Sequence, residues 1–265
     1  IRLAWGSNGN LYVSDNETGS VFIYDSTLNV QGELKGLAKP LGVAADDSGN
    51  IYVGNEGRKN VEVYEPSGNL VRTIGDGNIT KPNDLALDRY NNLYVLDSAN
   101  DTVLVYDLNG APLYTIGNST IFDYAVSITI NYRDDGSGNE IGELYIADQP
   151  KCTIHVFSLG GTYKKSVGTY GDLMTKNWDG KFSGLIAVDI DQYGNIHGLD
   201  NTLNVVQVFE PRNGTFLRSY NAYPVENENR LNLQMDLGIN PADSRVVISN
   251  VATKNVETVT TVTGP

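Results

Sequence analysis

The sequence is poor in the residues most often used for covalent and metal chemistry. Among 265 residues there is one cysteine, Cys152, and there are two histidines, His155 and His197. A single cysteine excludes an internal disulfide. A thiol nucleophile needs a base beside it, and these two histidines are the only imidazoles that could serve. Catalytic zinc usually takes three protein ligands, many of them His. His155 falls mid-strand in Ile154-His155-Val156-Phe157 and His197 falls in a different repeat, so a shared metal is not expected. Basic residues number 19 against 32 acidic ones, a formal net charge of -13. The densest basic pairs are Arg58-Lys59 and Lys164-Lys165, too sparse to neutralise a phosphate backbone or dock on an anionic membrane. No apolar run approaches the roughly 18 residues of a membrane helix, so direct membrane insertion is not expected. There is no Gly-x-Ser-x-Gly elbow, phosphate loop, His-Glu-x-x-His helix or calcium-hand loop.

What the sequence does have is glycine, 28 residues, and tyrosine, 16. Tyr, Val and Ile favour strands, whereas Gly, Asn and Asp favour turns. An apolar-Tyr-apolar strand follows a Gly/Asn turn again and again: Gly9-Asn10-Leu11-Tyr12-Val13, Gly49-Asn50-Ile51-Tyr52-Val53, Asn91-Asn92-Leu93-Tyr94-Val95 and Gly142-Glu143-Leu144-Tyr145-Ile146. Gly194-Asn195-Ile196-His197-Gly198 and Ser244-Arg245-Val246-Val247-Ile248 are drifted copies. The first apolar positions, 11, 51, 93, 144, 196 and 246, lie 40, 42, 51, 52 and 50 residues apart, near the period of a propeller blade. Each repeat holds short runs of 5–7 residues, too short for helices. The second repeat reads Leu41–Asp47, Asn50–Asn55, Asn60–Glu65 and Leu70–Gly75. The expectation is a single all-β domain over residues 1–265. It would be a six-bladed β-propeller with blades near 1–36, 41–75, 83–117, 124–168, 184–221 and 233–265. The segment from Thr169 to Ser183 breaks the rhythm and reads as a long loop with a short helix at Asp172–Lys176.

The run Leu41-Gly42-Val43-Ala44, then Gly49-Asn50-Ile51-Tyr52-Val53, Val61-Glu62-Val63-Tyr64 and Ile74-Gly75 resembles an NHL repeat. Pro40 with Leu41–Asp46, and Pro82 with Asn83–Asp88, match that family's first strand. The resemblance spans essentially the whole chain and implies a propeller. It does not imply one activity, because fold does not fix function: relatives of this kind include sensor domains, protein- and RNA-binding scaffolds and a lyase acting on amidated peptides.

Counting strands leaves the last repeat short. Gln234–Asn240, Arg245–Asn250 and Asn255–Thr263 are three, so the outer strand is missing. A trimmed sequence, a three-stranded blade and a strand donated by a partner all account for it. An exposed edge is a template for pairing, which nominates Val256, Thr258, Thr260 and Val262 as interface residues.

Every second strand ends in Asp or Asn: Asp15, Asn55, Asp97, Asp148, Asp200 and Asn250. Carboxylates suit hard cations, so Asp15, Asp97, Asp148 and Asp200 are candidate ligands for a divalent ion such as calcium. Because the residue recurs in each repeat, an Asx-type cap on its own turn explains it as well. Off the repeat, the two longest connections carry Asp172, Trp178 and Asp179, and Tyr223 and Glu226. These are candidates for binding a small-molecule ligand of unspecified class under conspicuous loops. Asn-x-Ser/Thr sequons place candidate glycans at Asn16, Asn78, Asn100, Asn118 and Asn213, all in expected loops. Together these point to a non-catalytic, extracellular or cell-surface module that binds a protein partner or itself, with no cofactor required. The alternatives are a metal-dependent lyase or lactonase and the sensor domain of a membrane-anchored protein.

Overall fold

The computed structural model describes residues 1–172, 174–222, 234–250 and 255–262. They fall into two compact units, Ile1–Phe122 and Asp123–Pro265. The first unit holds three antiparallel sheets of consecutive strands: β1–β4 (Arg2–Trp5, Leu11–Asp15, Ser20–Tyr24, Val30–Leu34), β5–β8 (Pro40–Ala45, Ile51–Asn55, Asn60–Tyr64, Leu70–Ile74) and β9–β12 (Pro82–Leu87, Asn92–Asp97, Thr102–Asp107, Pro112–Ile116). The second begins with β13–β16 (Ala125–Asp134, Glu140–Asp148, Thr153–Ser158, Tyr163–Val167). It continues through a short parallel pair, β17 (Thr169–Tyr170) and β18 (Lys181–Phe182), to β19–β22 (Leu185–Ile190, Ile196–Asp200, Val205–Phe209, Phe216–Asn221). It ends in a three-stranded sheet, β23–β25 (Gln234–Ile239, Arg245–Asn250, Asn255–Thr261). These six sheets are called blades 1 to 6. No helix occurs among the described residues, and hence none long and apolar enough to cross a membrane.

Strand bounds follow the sequence pattern closely, and the turns explain why. In blade 2, Asp46 Oδ1 accepts the N–H groups of Ser48 and Asn50, each at 2.9 Å, so one carboxylate closes the first hairpin. Asp88 does the same for Tyr90 and Asn92, and Asp191 for Tyr193 and Asn195. Proline opens β5 and β9, where a missing N–H costs least. One expectation fails. Among the described residues of Asp172–Lys176 there is no helix; Asp172 Oδ1 accepts the N–H of Met174 and the Asp172 carbonyl that of Thr175. The loop instead closes on itself, with Thr169 N donating to the Gly180 carbonyl and Gly171 N to that of Phe182.

Within each unit the core lies between successive blades, face on face. Ala44, Tyr52, Val61 and Ile74 of blade 2 pack with Leu85, Leu93, Val95 and Tyr106 of blade 3. Tyr145, Ile154 and Val167 of blade 4 meet Leu185, Ile196 and Phe209 of blade 5. Approach is close enough to select glycine: a Cβ at Gly42 would lie 2.7 Å from the Asp84 backbone. Basic side chains on fourth strands add a clip at the rim. Arg72 of blade 2 donates to the Leu108 carbonyl of blade 3, and Lys165 of blade 4 to the Pro211 and Arg212 carbonyls of blade 5.

The turn into each third strand has one residue in the left-handed region: Gly19, Lys59, Asp101, Cys152 and Asn204 in blades 1 to 5. Cys152 thus serves as a turn residue. It is buried at 3% exposure, its Sγ lies 3.4 Å from the Gln149 carbonyl, and burial pushes its thiol up, away from the thiolate a nucleophile needs. Lys59 is exposed and strained with φ 57°. Lys59→Gly is expected to raise stability by about 0.5–1 kcal/mol, because glycine removes the Cβ clash at some cost in chain entropy. Chemical denaturation checks this; a loss of stability would contradict it.

Candidate functional site

The recurring acids at the ends of the second strands hold main chain. Asp200 accepts four backbone N–H groups. Thr202 (2.9 Å) and Leu203 (2.8 Å) belong to its own turn, and Ser183 (2.6 Å) and Gly184 (3.0 Å) to the connection entering the blade. Asp97 takes Thr80 and Lys81 in the same way, each at 2.8 Å, and Asp148 takes Asp123 and Tyr124. Asp15 caps only its own turn, through Glu17 and Thr18. In Asp97, Asp148 and Asp200 both carboxylate oxygens take backbone N–H donors, whereas Asp15 takes its two through Oδ1 alone. Among the described residues, no three His, Cys, Asp or Glu side chains gather as a metal-holding group. The expected Asx cap is present at Asp15 and Asp200, while Asp97, Asp148 and Asp200 tie the end of the second strand to the connection entering the blade.

Asp200→Ala is expected to cost about 2–4 kcal/mol, since it strands several N–H groups, two of them in a partly buried connection. Asp15→Ala, which releases an exposed turn, should cost under about 1 kcal/mol. Equal losses in thermal unfolding would refute this tie.

Both histidines are bound into such networks. His155 Nε2 lies 3.3 Å from Asp148 Oδ2. Burial alone would push the Asp148 carboxyl up, but the His155 contact and the two backbone donors hold it below its usual range. His197, fully enclosed, stands where other repeats have Tyr. Tyr52 donates to Asp46 (3.1 Å) and Tyr94 to Asp88 (3.3 Å); His197 reaches the equivalent Asp191 at 3.1 Å. Burial lowers the His197 pKa, so the ring is neutral, Nε2–H donates to Asp191, and Nδ1 accepts from Tyr220 Oη at 2.9 Å. The order Tyr-His-Asp looks like a relay, but no solvent or substrate reaches a ring with 0% exposure.

The residue missed in the sequence is Asp189. It pairs with His197 across the first hairpin of blade 5, the place of Ala44 opposite Tyr52 and Ala86 opposite Tyr94. Its carboxylate accepts from Thr129 of blade 4 (3.0 Å), from Ile190 of its own strand (2.9 Å) and from the Ile239 N–H of blade 6 (2.7 Å). Burial pushes this carboxyl up to about 7 against those three bonds, with the charge of Asp236 adding to the rise. The folded chain therefore keeps a proton that the unfolded chain releases above about pH 4. The contribution of Asp189 to stability is full below that pH and is lost as the pH rises to about 7. The melting-temperature advantage of the native chain over Asp189→Asn should accordingly shrink between pH 5 and pH 8; a constant difference would show that the group does not titrate there.

The loop candidates are spread out. Asp172 and Asp179 are exposed, and Trp178 is half-buried with its ring over Gly171. Tyr223 and Glu226 lie outside the described residues. All five sequon asparagines, Asn16, Asn78, Asn100, Asn118 and Asn213, are exposed. Two polar grooves occupy matching places between blades. One of about 550 Å³ runs between the hairpins at Asp46–Asn50 and Tyr90–Asn92, the other of about 410 Å³ between Asn131–Asp134 and Asp191–Asn195. Their recurrence makes them gaps of the repeat.

The last blade departs most from the others. Strand β25 pairs with β24 in the register of a third strand: Asn255 faces Asn250 as Asn60 faces Asn55, and Val256 and Thr258 take the places of Val61 and Val63. Val21, Val61, Val103, Ile154 and Val206, the five equivalents of Val256, are all 0% exposed beneath a fourth strand. Val256 and Thr260 are only half-buried and Thr258 is exposed. Val262 differs from the interface expectation. It is 4% exposed in the core shared by blades 5 and 6, and its N–H donates to the Ser244 carbonyl.

Comparison with solved structures places the whole chain. A streptogramin B lyase aligns over 98% of this chain and 78% of its own, at TM-score 0.67 and 14% identity. A gluconolactonase from Xanthomonas campestris aligns over 94% and 82%, at 0.70 and 16%. Hydrazine synthase of Kuenenia stuttgartiensis aligns over 97% and 94%, at 0.64 and 13%. The fold is a six-bladed β-propeller. Its sixth blade has three strands. At these identities the likeness concerns this propeller's architecture alone. No protein-family model matches the chain, and no curated protein matches it in sequence.

Proposed function

We propose that this is a non-catalytic, NHL-type propeller of the secreted or cell-surface space that binds a protein partner by accepting an extended segment along the edge of blade 6. One observation carries the reading: β25 holds the third-strand register, yet among the described residues no fourth strand lies against it. Main-chain hydrogen bonding to an open edge supplies affinity, and side-chain positions along it supply selectivity. The exposed sequons and the net charge of -13 suit a solvated, glycosylated surface.

Hydrogen exchange tests this. The amides of Asn255–Thr261 should exchange faster than those of Asn60–Tyr64, and a pool of random-sequence heptapeptides at millimolar concentration should slow them. Exchange that ignores the peptides would sink the proposal. A metal-dependent lyase or lactonase is the second reading, favoured by the likeness to a streptogramin B lyase and a gluconolactonase. Ring opening of gluconolactone or of streptogramin B on addition of calcium would install it in place of the first.

A further inference from the structure

The five sequons are alike in sequence and unlike in structure. Attaching a glycan joins Asn Nδ2 to C1 of an oligosaccharide carried on a lipid pyrophosphate. The pyrophosphate leaves with the electron pair of the broken C1–O bond. One Nδ2 proton passes to the transferase, and the nitrogen keeps a single N–H. A folded sequon reacts only where Nδ2 and the Ser or Thr hydroxyl two residues on both reach the enzyme.

Two of the sequons block each other. Asn100 Nδ2 commits both of its protons, one to Thr80 Oγ1 (3.0 Å) and one to Asp97 Oδ2 (2.8 Å). Thr80 is the hydroxyl residue of the sequon at Asn78. One bond therefore occupies the acceptor nitrogen of one sequon and the hydroxyl of the other. Ile79, in the middle of the Asn78 sequon, is buried in the core of blades 2 and 3. Thr102, the last residue of the Asn100 sequon, opens β11 opposite Asp97. A sugar on Asn100 would remove at least one of its two bonds, beside the carboxylate that holds the connection entering blade 3.

Asn118 and Asn213 are built the other way, with Oδ1 as the engaged atom. Asn118 Oδ1 accepts the N–H of Thr120 at 2.9 Å and also the Thr120 hydroxyl. Asn213 Oδ1 accepts the N–H (2.9 Å) and the hydroxyl (2.6 Å) of Thr215. Each turn sets the hydroxyl beside the amide without using Nδ2, and Asn118, Thr120, Asn213 and Thr215 are all exposed. Asn16 is exposed too, but the N–H groups of Glu17 and Thr18 are held by Asp15 and not by its own amide. Resting on the secreted or cell-surface reading above, we propose that Asn118 and Asn213 carry N-linked glycans and that Asn78 and Asn100 stay bare in the folded chain. Asn118 lies in the connection leaving blade 3, and Asn213 in the hairpin joining β21 to β22.

The test incubates the folded full chain with a lipid-linked oligosaccharide and a single-subunit oligosaccharyltransferase that reads Asn-x-Ser/Thr. Glycopeptide mass spectrometry follows each site. Every rate is divided by that of a free synthetic peptide carrying the same sequon, which removes local sequence preference. The ratios at Asn118 and Asn213 should exceed those at Asn78 and Asn100 by about tenfold, the cost of opening one or two hydrogen bonds. Asn100→Ala, which releases the Thr80 hydroxyl, should raise the rate at Asn78 several-fold; an unchanged rate would overturn the interlock. Equal ratios at all four sites would overturn the proposal on geometry. Bare Asn118 and Asn213 in protein from its native source, set against fast modification of the same sites by the transferase, would overturn it through the secreted placing instead.

Discussion

A carboxylate at the end of a second strand ties together chain segments that no sheet ladder reaches. Blades stack through apolar faces, and such faces slide readily unless their connections are held. Asp97, Asp148 and Asp200 hold them by receiving the N–H groups of the incoming connection on the oxygens that face it. In blade 5 the turn at Thr202 and Leu203 is gathered by the same side chain. The strand that follows therefore enters at a fixed height, and the inter-blade core forms in one register. Buried N–H groups need partners, and here one residue type at one repeat position provides them without regard to loop length. The loops differ widely in length while the sheets stay alike.

The same economy explains what the sequence made legible. Strand bounds and turn residues recur with the period, and the short last blade breaks it, so all three could be read from spacing. The acids at 15, 97, 148 and 200 were visible too, but their duty was ambiguous: a carboxylate that binds N–H groups looks identical in sequence to one that binds a cation. Asp189 was hidden for a different reason. It sits two residues before Asp191, which closes a hairpin as Asp46 and Asp88 do, and so it passed as part of that turn. The signal was an acid where blades 2 and 3 carry Ala44 and Ala86. Its partners, Thr129 and Ile239, come from neighbouring blades, and that adjacency has no trace in local spacing.

Departures from symmetry also sort themselves physically. The His197 substitution preserves the repeat's bond to its hairpin acid and recruits Tyr220 to fill the second ring nitrogen, so it repairs itself within one blade. The loop from Thr169 to Lys181 is anchored by Gln207, whose side chain accepts from Gly180 and donates to the Lys181 carbonyl. It too is reconciled locally. Blade 6 has no such internal repair among the described residues, since what it lacks is a whole strand.

The rim clips carry a consequence for how such a chain can change over generations. Arg72 and Lys165 grasp carbonyl oxygens, not side chains, of the blade that follows. A carbonyl is present whatever residue bears it, so the recipient is free to mutate without breaking the joint. Neighbours held in this way place few demands on each other's identity. A gene encoding them can duplicate, diverge or exchange a repeat without having to alter both sides of a junction at once.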